Sequence, residues 1–240
     1  MSRLSDNSRA GDLDRLRTEY ARRAQRLANS DLYSPFNPAH LFMIQQRQRA
    51  TLQLLRRYGM YPLNGKRILE VGCGSGGVLV EFLSYGAEPH LLHGVDLLPD
   101  RVQAAHRRLP HILLACADAQ NLPYPSASFD LVLQYTVFSS ILDDGVKASI
   151  ACEMLRVLKP EGLILWYDFW LNPLNPQTRG IRPAEIRRLF PTCTFTFRRV
   201  TLAPPITRRL MPVSWMLCAL LESLRVFNSH YLVAIRKVEG

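Results

Sequence analysis

The chain lacks any apolar run long enough to cross a bilayer. A spanning helix needs roughly 20 such residues, and the longest run, Val213 to Leu221, is about half that. The N-terminus has no apolar core and mixes Arg with Asp and Glu, which fits neither a secretory signal nor an acid-poor transit peptide. Cysteines are few and poorly spaced: five, at 73, 116, 152, 193 and 218, an odd number with no CxxC. That spacing excludes a disulfide framework and a zinc ribbon, and no metal ligand set is expected; reduced thiols in a cytoplasm are. Lysine is scarce, at four of the thirty basic residues. The net charge of +10 raises the question of a nucleic-acid partner. The arginines, however, fall in scattered pairs such as Arg22-Arg23, Arg107-Arg108 and Arg208-Arg209, with no aromatic residues interleaved. Nucleic acid is therefore not the expected partner. Internal repeats and low-complexity tracts are also missing.

What is present reads as one α/β domain with an extension. A length of 240 residues, 48% of them hydrophobic, is enough to bury a sizeable core. From Asp12, Leu13, Leu16, Tyr20, Ala24 and Leu27 recur at helical spacing. "NSDLYSPFNPAH" (29 to 40) is a proline-broken loop, and a second helix is expected from about Ala39 to Tyr58, stopped by Gly59. Residues 1–62 thus form a helical extension or cap, and 63–240 the main domain. There, apolar runs alternate with helical segments: "RILEVGC", "LLHGVDL", "HILLACAD", "FDLVLQYT" and "GLILWYDF", with helices at 76–85, 99–108, about 143–158 and 183–190. Such alternation predicts a parallel sheet covered on both faces. "TFTFRRVTLA" and "HYLVAIRKV" follow as two further strands, separated by a helical segment.

The turn after the first strand, "VGCGSGG", satisfies two patterns. Gly72, Gly74 and Gly76 fit GxGxG; Gly72, Gly74 and Gly77 fit GxGxxG, the dinucleotide spacing. Either ligand needs backbone close to it at a helix N-terminus. Glu70, two residues before the first glycine, discriminates between them. A carboxylate there helps organise a site around a cationic amino-acid group and has no use beside a pyrophosphate. Asp96, ending the second strand 20 residues past Gly76, is placed to accept bonds from ribose hydroxyls or to cap the helix opening at Pro99.

Taken in order, "ILEVGCGSGG", "GVDL", "ADAQNLPYPSASFDLVL" and "EMLRVLKPEGLILWYDF" resemble the class I S-adenosylmethionine (SAM) dependent methyltransferases, notably the broad group that includes the ubiquinone and menaquinone methyltransferases. The resemblance covers about residues 66 to 170. It implies a Rossmann-like fold with a seven-stranded, mostly parallel sheet of order 3-2-1-4-5-7-6 and an antiparallel last strand. It implies SAM as cofactor, leaving as S-adenosylhomocysteine. Glu70, Gly72, Gly74 and Gly76 would hold its methionine part, with Cys73 inside the turn as a small residue that fits. Asp96 would bind ribose and Leu97 pack on adenine. Asp118 would reach the adenine amino group with the Ala119 backbone beside it, unless it caps a turn. Gln134 and Tyr135 would border the methionine part and the sulfonium. "LKPEG" would be a turn feeding the fifth strand.

Two features depart from that family. Relatives commonly read "VLEHI" after the fourth strand; here "VFSSI" puts Ser139 and Ser140 where Glu and His would stand, so that histidine base is absent. Asp168, at the end of the fifth strand, is the first substitute, as a base or as a loop cap. His40 and Tyr33, in the segment that would fold over the donor site, are the others. Arg179 and Arg182 are candidates to clamp an anion, and His230 is read as structural. The second departure is the insertion at about 204–229 between the last two strands, which reads as a core helix or as a lid over an apolar substrate, ahead of a membrane-surface helix, since its basic residues cluster at Arg208-Arg209 and Arg225 and not along a face. The expected activity is methyl transfer to oxygen or nitrogen of a small, partly apolar acceptor such as a secondary metabolite, a quinone-like ring or a sugar. A nucleic-acid methyltransferase and a catalytically silent SAM-binding partner subunit are the alternatives.

Overall fold

The computed structural model describes residues 18–19, 22, 30–171 and 177–238; the helix expected from Asp12 lies largely outside them. The first long element is α1 (Pro38–Arg57). Asn37 starts it: its side chain accepts from the N–H groups of Ala39 and His40, and Pro38 occupies the first turn, where a missing N–H costs nothing. The core follows as β1 (Ile68–Val71), α2 (Gly77–Ser84), β2 (Leu92–Asp96), α3 (Pro99–Arg108), β3 (Leu113–Cys116), β4 (Phe129–Tyr135), α4 (Asp144–Val157), β5 (Leu158–Phe169), α5 (Pro183–Leu189) and β6 (Cys193–Leu202). Two short helices, α6 (Pro204–Leu210) and α7 (Trp215–Ser223), precede β7 (Asn228–Lys237).

The seven strands form one sheet of order β3-β2-β1-β4-β5-β7-β6. The first five run parallel, and β7 is antiparallel to both β5 and β6. This is the expected topology. The central strands are buried on both faces, and strand alternation sorts their side chains. Ile68, Leu131, Leu133, Leu163 and Leu165 join Leu54 of α1 and Leu79 and Phe82 of α2 in one core. Leu69, Val71, Val132, Ile164 and Trp166 join Ile150 and Met154 of α4 and Ile186 of α5 in the other. Each fully buried side chain of this size contributes roughly 1.5–3 kcal/mol, so the two cores clamp the sheet from either side.

Two expectations are corrected. "LKPEG" is not a separate turn: β5 begins at Leu158, which pairs with Phe129 across an irregularity before Leu131. Lys159 Nζ bonds both oxygens of Asp130, 2.9 Å each, and this pairing fixes the strand start. The insertion is two helices rather than one, broken around Met211 to Ser214. Because β6 is parallel to the core strands, α6 leaves from their carboxyl ends. Met211 and Cys218 then pack on Ala39 and Phe42 of α1, with Phe42 and Trp215 edge to face at 6.1 Å.

Candidate functional site

The crevice lies where the strand order reverses, between the carboxyl ends of β1 and β4, which is where open α/β sheets bind ligands. The turn after β1 is pinned to β2. The N–H groups of Gly72 and Cys73 donate to the Val95 carbonyl at 2.8 and 2.9 Å, and Gly74 N–H donates to Asp96 Oδ2 at 2.8 Å. Gly72, Gly74 and Gly76 all have positive φ. Their surroundings differ. A Cβ on Gly72 would sit 2.3 Å from Val137 Cγ2, and one on Gly76 would sit 2.6 Å from Leu109 Cδ1, so these two make room for the protein's own side chains. At Gly74 the nearest atom is the Arg101 guanidinium, 3.5 Å from where a Cβ would be. Gly74 therefore presents the turn's open side. Cys73 is buried against Gly94; burial, with the Glu70 and Asp96 charges, pushes its thiol up, so it stays protonated and is no nucleophile.

Asp96 is buried, with Oδ1 accepting from Leu98 N–H at 3.0 Å. It thus braces both the glycine turn and the entry to α3, and each oxygen keeps a second lone pair. Glu70 points to the α1/α2 side and is closed off from solvent. Burial holds its carboxyl well above the usual range; the charges of Glu81 and Asp96 add to this, and Arg47 and the Leu79 N–H oppose it. Its Oε2 has no hydrogen-bond partner among the described residues.

The residues around Glu70 were not legible as a site in the sequence. Arg47, from α1, pairs with Glu81 of α2. Its guanidinium lies over the rings of Tyr135 and Tyr167, 5.4 and 5.5 Å from their centroids. Burial disfavours its charge, but Glu81 and the tyrosines outweigh this and raise its pKa. Its Nε is buried and has no partner among the described residues. Glu81 could have been flagged as a lone acid in the apolar helix "GVLVEFLS". Arg47 sits in "QQRQR", where nothing distinguishes it from the exposed Arg49.

The other predicted residues divide. Tyr135 joins this group, its hydroxyl 3.2 Å from Thr51 Oγ1 of α1. Gln134 and Asp168 lie on the opposite face of the sheet, both closed to solvent. Gln134 Oε1 accepts from Val137 N–H at 2.8 Å and its Nε2 donates to Asp168 Oδ2 at 3.4 Å. Asp168 also accepts from the N–H groups of Ser139 and Phe169, at 3.1 and 2.9 Å. Of the two roles open to Asp168, the loop cap is the one its contacts fill. Burial raises its carboxyl to about 6, against the hydrogen bonds from Ser139 and its neighbours. Ser139 thereby serves as a donor to that cap. Gln134 and Asp168 together hold the turn from Val137 to Ser140, and Val137 is the side chain filling the space over Gly72.

Asp118 and Ala119 are half-buried after β3, as is Leu97 after β2. Asp118 closes on Gln120, accepting from its N–H at 2.9 Å and its Nε2 at 3.0 Å. His40 and Tyr33 meet edge to face at 5.5 Å at the start of α1. Burial, with the Arg47 and Arg208 charges, lowers the His40 pKa. Arg179 is engaged with Asp144 and Glu185, and Lys147 donates to Glu185 Oε1 at 2.8 Å; the anion-clamp reading of Arg179 gives way to this ion-pair network. His230 is buried, stacked on Tyr167 at 4.7 Å with its Nδ1 3.0 Å from Ser229 Oγ.

Residues 68–162 match a protein-family model described as a methyltransferase domain. Over 121 residues the chain is 37% identical to phthiotriol/phenolphthiotriol dimycocerosates methyltransferase 1 of Mycobacterium ulcerans, covering 47% of this chain and 40% of that protein. Over 108 residues it is 38% identical to a fatty-acid O-methyltransferase of Mycolicibacterium smegmatis, covering 44% of this chain and 38% of that protein. The chain thus spans about two fifths of the length of these curated relatives. Among solved structures, the PH0226 protein of Pyrococcus horikoshii superposes with a TM-score of 0.59 at 16% identity, over 89% of this chain and 99% of that one. The sheet order, the glycine turn at its switch point and the matched residues 68–162 agree, and the chain is similar in domain and fold to the class I SAM-dependent methyltransferases.

Proposed function

We propose that this chain moves a methyl group from SAM to an oxygen or nitrogen of a small, partly apolar acceptor. The observation that carries the proposal is the unfinished pairing of Glu70 beside the open side of the glycine turn. A buried carboxylate oxygen without a donor is costly, and a cationic amino group of a ligand is the donor it lacks. The same site offers Asp96 lone pairs for ribose hydroxyls and Asp118 for an exocyclic amine, so the residues fit SAM. When bound, SAM supplies an electrophilic methyl group on a sulfonium.

The chain's own part is alignment and exclusion of water. Arg47, locked by Glu81 and two tyrosine rings, holds α1 against the ends of β4 and β5. The two helices after β6 lean on α1 from the other side, and we read residues 1–62 together with this insertion as a cap on the domain. His40, kept neutral by burial and by the arginine charges, is the candidate to receive an acceptor proton, with Tyr33 against its ring. Asp168 is already committed to three donors. The names of the two curated relatives, a fatty-acid and a phthiotriol methyltransferase, favour a lipid-like acceptor over a sugar. All five cysteines are unpaired, which supports a reducing, cytoplasmic setting.

The test is transfer of labelled methyl from SAM to fractions of a host extract, with purified protein. Label in the organic-soluble fraction, reduced about 100-fold by His40→Ala as expected for loss of a general base, supports the reading. Label only in RNA overturns the small-molecule acceptor. SAM binding without transfer to any fraction would make the chain a silent partner subunit.

A further inference from the structure

Helix α7 has an outer face that the fold leaves bare. Its inner face is accounted for, with Cys218 buried against α1 and Leu221 packed beside it. On the outside, Met216 and Leu220, one turn apart on α7, share one stripe with Leu224, which ends the helix, and Val213 lies in the turn just before it. Met216, Leu220, Leu224 and Val213 are 76%, 58%, 56% and 78% exposed. Val226 and Phe227, in the turn that follows, are exposed as well. Single exposed apolar residues mean nothing, but a contiguous stripe of this kind marks an interaction surface.

The border of the stripe is cationic. Exposed Arg208 and Arg209 end α6, and exposed Arg225 follows Leu224 directly. Arg198, on β6, feels the charges of Arg225 and of Arg57 at the end of α1, which add to burial in depressing its guanidinium; it donates to Gln53 Oε1 at 2.7 Å. None of these five arginines forms an ion pair with an acid among the described residues. The neighbouring acid, Glu222, accepts from Asn228 Nδ2 at 3.3 Å and feels the Arg225 charge without an ion-pair contact.

Charge selects the occupant. A second copy of the chain would bring the same arginines and a net charge of +10. The N-terminal stretch 12–27 carries Arg15, Arg17, Arg22, Arg23 and Arg26 against Asp12, Asp14 and Glu19, which is also the wrong sign. An apolar strip edged by unpaired arginines is complementary to a surface with hydrocarbon below and phosphates at the rim. We propose that α7 lies in the surface of an anionic phospholipid bilayer, its stripe at the acyl boundary and its arginines on the lipid phosphates. Since α6 and α7 leave the sheet at the carboxyl ends of its strands, docking turns the end that holds the crevice toward the membrane. No helix among the described residues is long and apolar enough to cross it. The docking does not depend on which molecule is methylated, or on whether any is.

The test is co-sedimentation of the full chain with vesicles of phosphatidylcholine alone, and with roughly a third phosphatidylglycerol. The anionic vesicles should bind at least about tenfold tighter, and less so at high salt. The double variant Met216→Glu/Leu220→Glu should lose binding, with its melting temperature and its thermal shift by SAM unchanged. Arg208→Glu/Arg225→Glu should lose the preference for anionic lipid. Absence of binding, or equal binding to both vesicles, overturns the proposal. So does a wild-type dimer by light scattering that Leu220→Glu makes monomeric without any vesicle binding, because the stripe would then belong to a second copy.

Discussion

The two faces of the sheet treat buried charge differently. On the α4/α5 face the charged groups are paired, and the buried atoms left without a partner among the described residues are the neutral Trp166 Nε1 and His93 Nδ1. Asp168 has three donors, Gln134 is used at both ends, and Lys147, fully buried, is paired with Glu185. On the α1/α2 face the pairing is incomplete. Glu70 Oε2 and Arg47 Nε have no partner among the described residues, and Glu70 shares its surroundings with Glu81 and Asp96. Finished pairing is what a stable interior demands. Unfinished pairing of charged groups next to a glycine turn marks a candidate functional site. Gln134, Tyr135, Asp168 and Glu70, neighbours by position along the strands, are thereby separated: Gln134 and Asp168 brace the turn from Val137 to Ser140, and Tyr135 and Glu70 lie on the Arg47 side, where we propose the ligand is held.

The contrast can be broken most severely at Gly72, where the two sides touch. Gly72→Val places a Cβ 2.3 Å from Val137 Cγ2 at a φ of +74°, so the turn and the braced loop cannot both keep their places. A loss of SAM affinity beyond about 100-fold is expected, more than 2.7 kcal/mol, read by calorimetry. Normal binding would show that Val137 yields freely and that the loop is not held as described.

Lys147→Met tests the finished side. Removing one partner of a buried pair typically costs 3–5 kcal/mol; Arg179 remains to pair with Glu185, so about 2–3 kcal/mol of folding stability should be lost. SAM affinity of the surviving folded protein should not change. A change in affinity at constant stability would put ligand chemistry on the wrong face. Glu70→Gln tests the other side and should do the reverse: SAM binding weakened by roughly 1–3 kcal/mol, with the unliganded protein as stable as wild type or more so, since a buried carboxylate has been removed. Loss of stability with unchanged affinity would make Glu70 structural.

How far this was visible in the sequence follows from what each signal depends on. Strand order and the crevice came through because the glycine turn, the apolar runs and the helix caps are local features, and four motifs in order fix their connection. The side of the sheet a residue faces depends on strand parity and on what folds back over it. Asp168 could be placed at the end of β5 from its run alone, but its partners Ser139, from the turn after β4, and Gln134, from β4, are brought to it only by the folded chain. Arg47 is one arginine among several on α1, singled out only by the tyrosines that end β4 and β5. The segment around Trp215 reads as apolar whether it is buried or bare, and so core helix and lid could not be separated by pattern. The structure shows a helix with one face packed on α1 and the other open.

The smallest effect expected here concerns pH, and it sharpens the comparison through His230. This imidazole lies on the Arg47 face, stacked on Tyr167 and 4.0 Å from the Phe169 ring centroid. Burial, and then the Arg47 charge, bring its pKa down to about 3 from 6.5. Between those values the unfolded chain holds a proton that the native chain refuses. Native stability therefore rises with pH across this window and is lost on acidification, by at most about 1.4 kcal/mol per unit. His230→Phe keeps the stack and removes the proton. Its stability should fall less than that of wild type between pH 6.5 and 4.5, by up to roughly 2 kcal/mol, measured as urea midpoints at several pH values. His93, lowered to about 4 by burial and Arg67, acts with the same sign. Asp168, raised to about 6, acts with the opposite sign, since its cost appears as pH rises from about 4 to 6. Both are present in wild type and variant and cancel in the difference. Arg47→Met, which removes one cause of the depression, should make the wild-type slope shallower without abolishing it. Parallel curves for wild type and His230→Phe would mean that His230 takes up its proton in the folded protein, and that the Arg47 face is open enough to solvate a second charge.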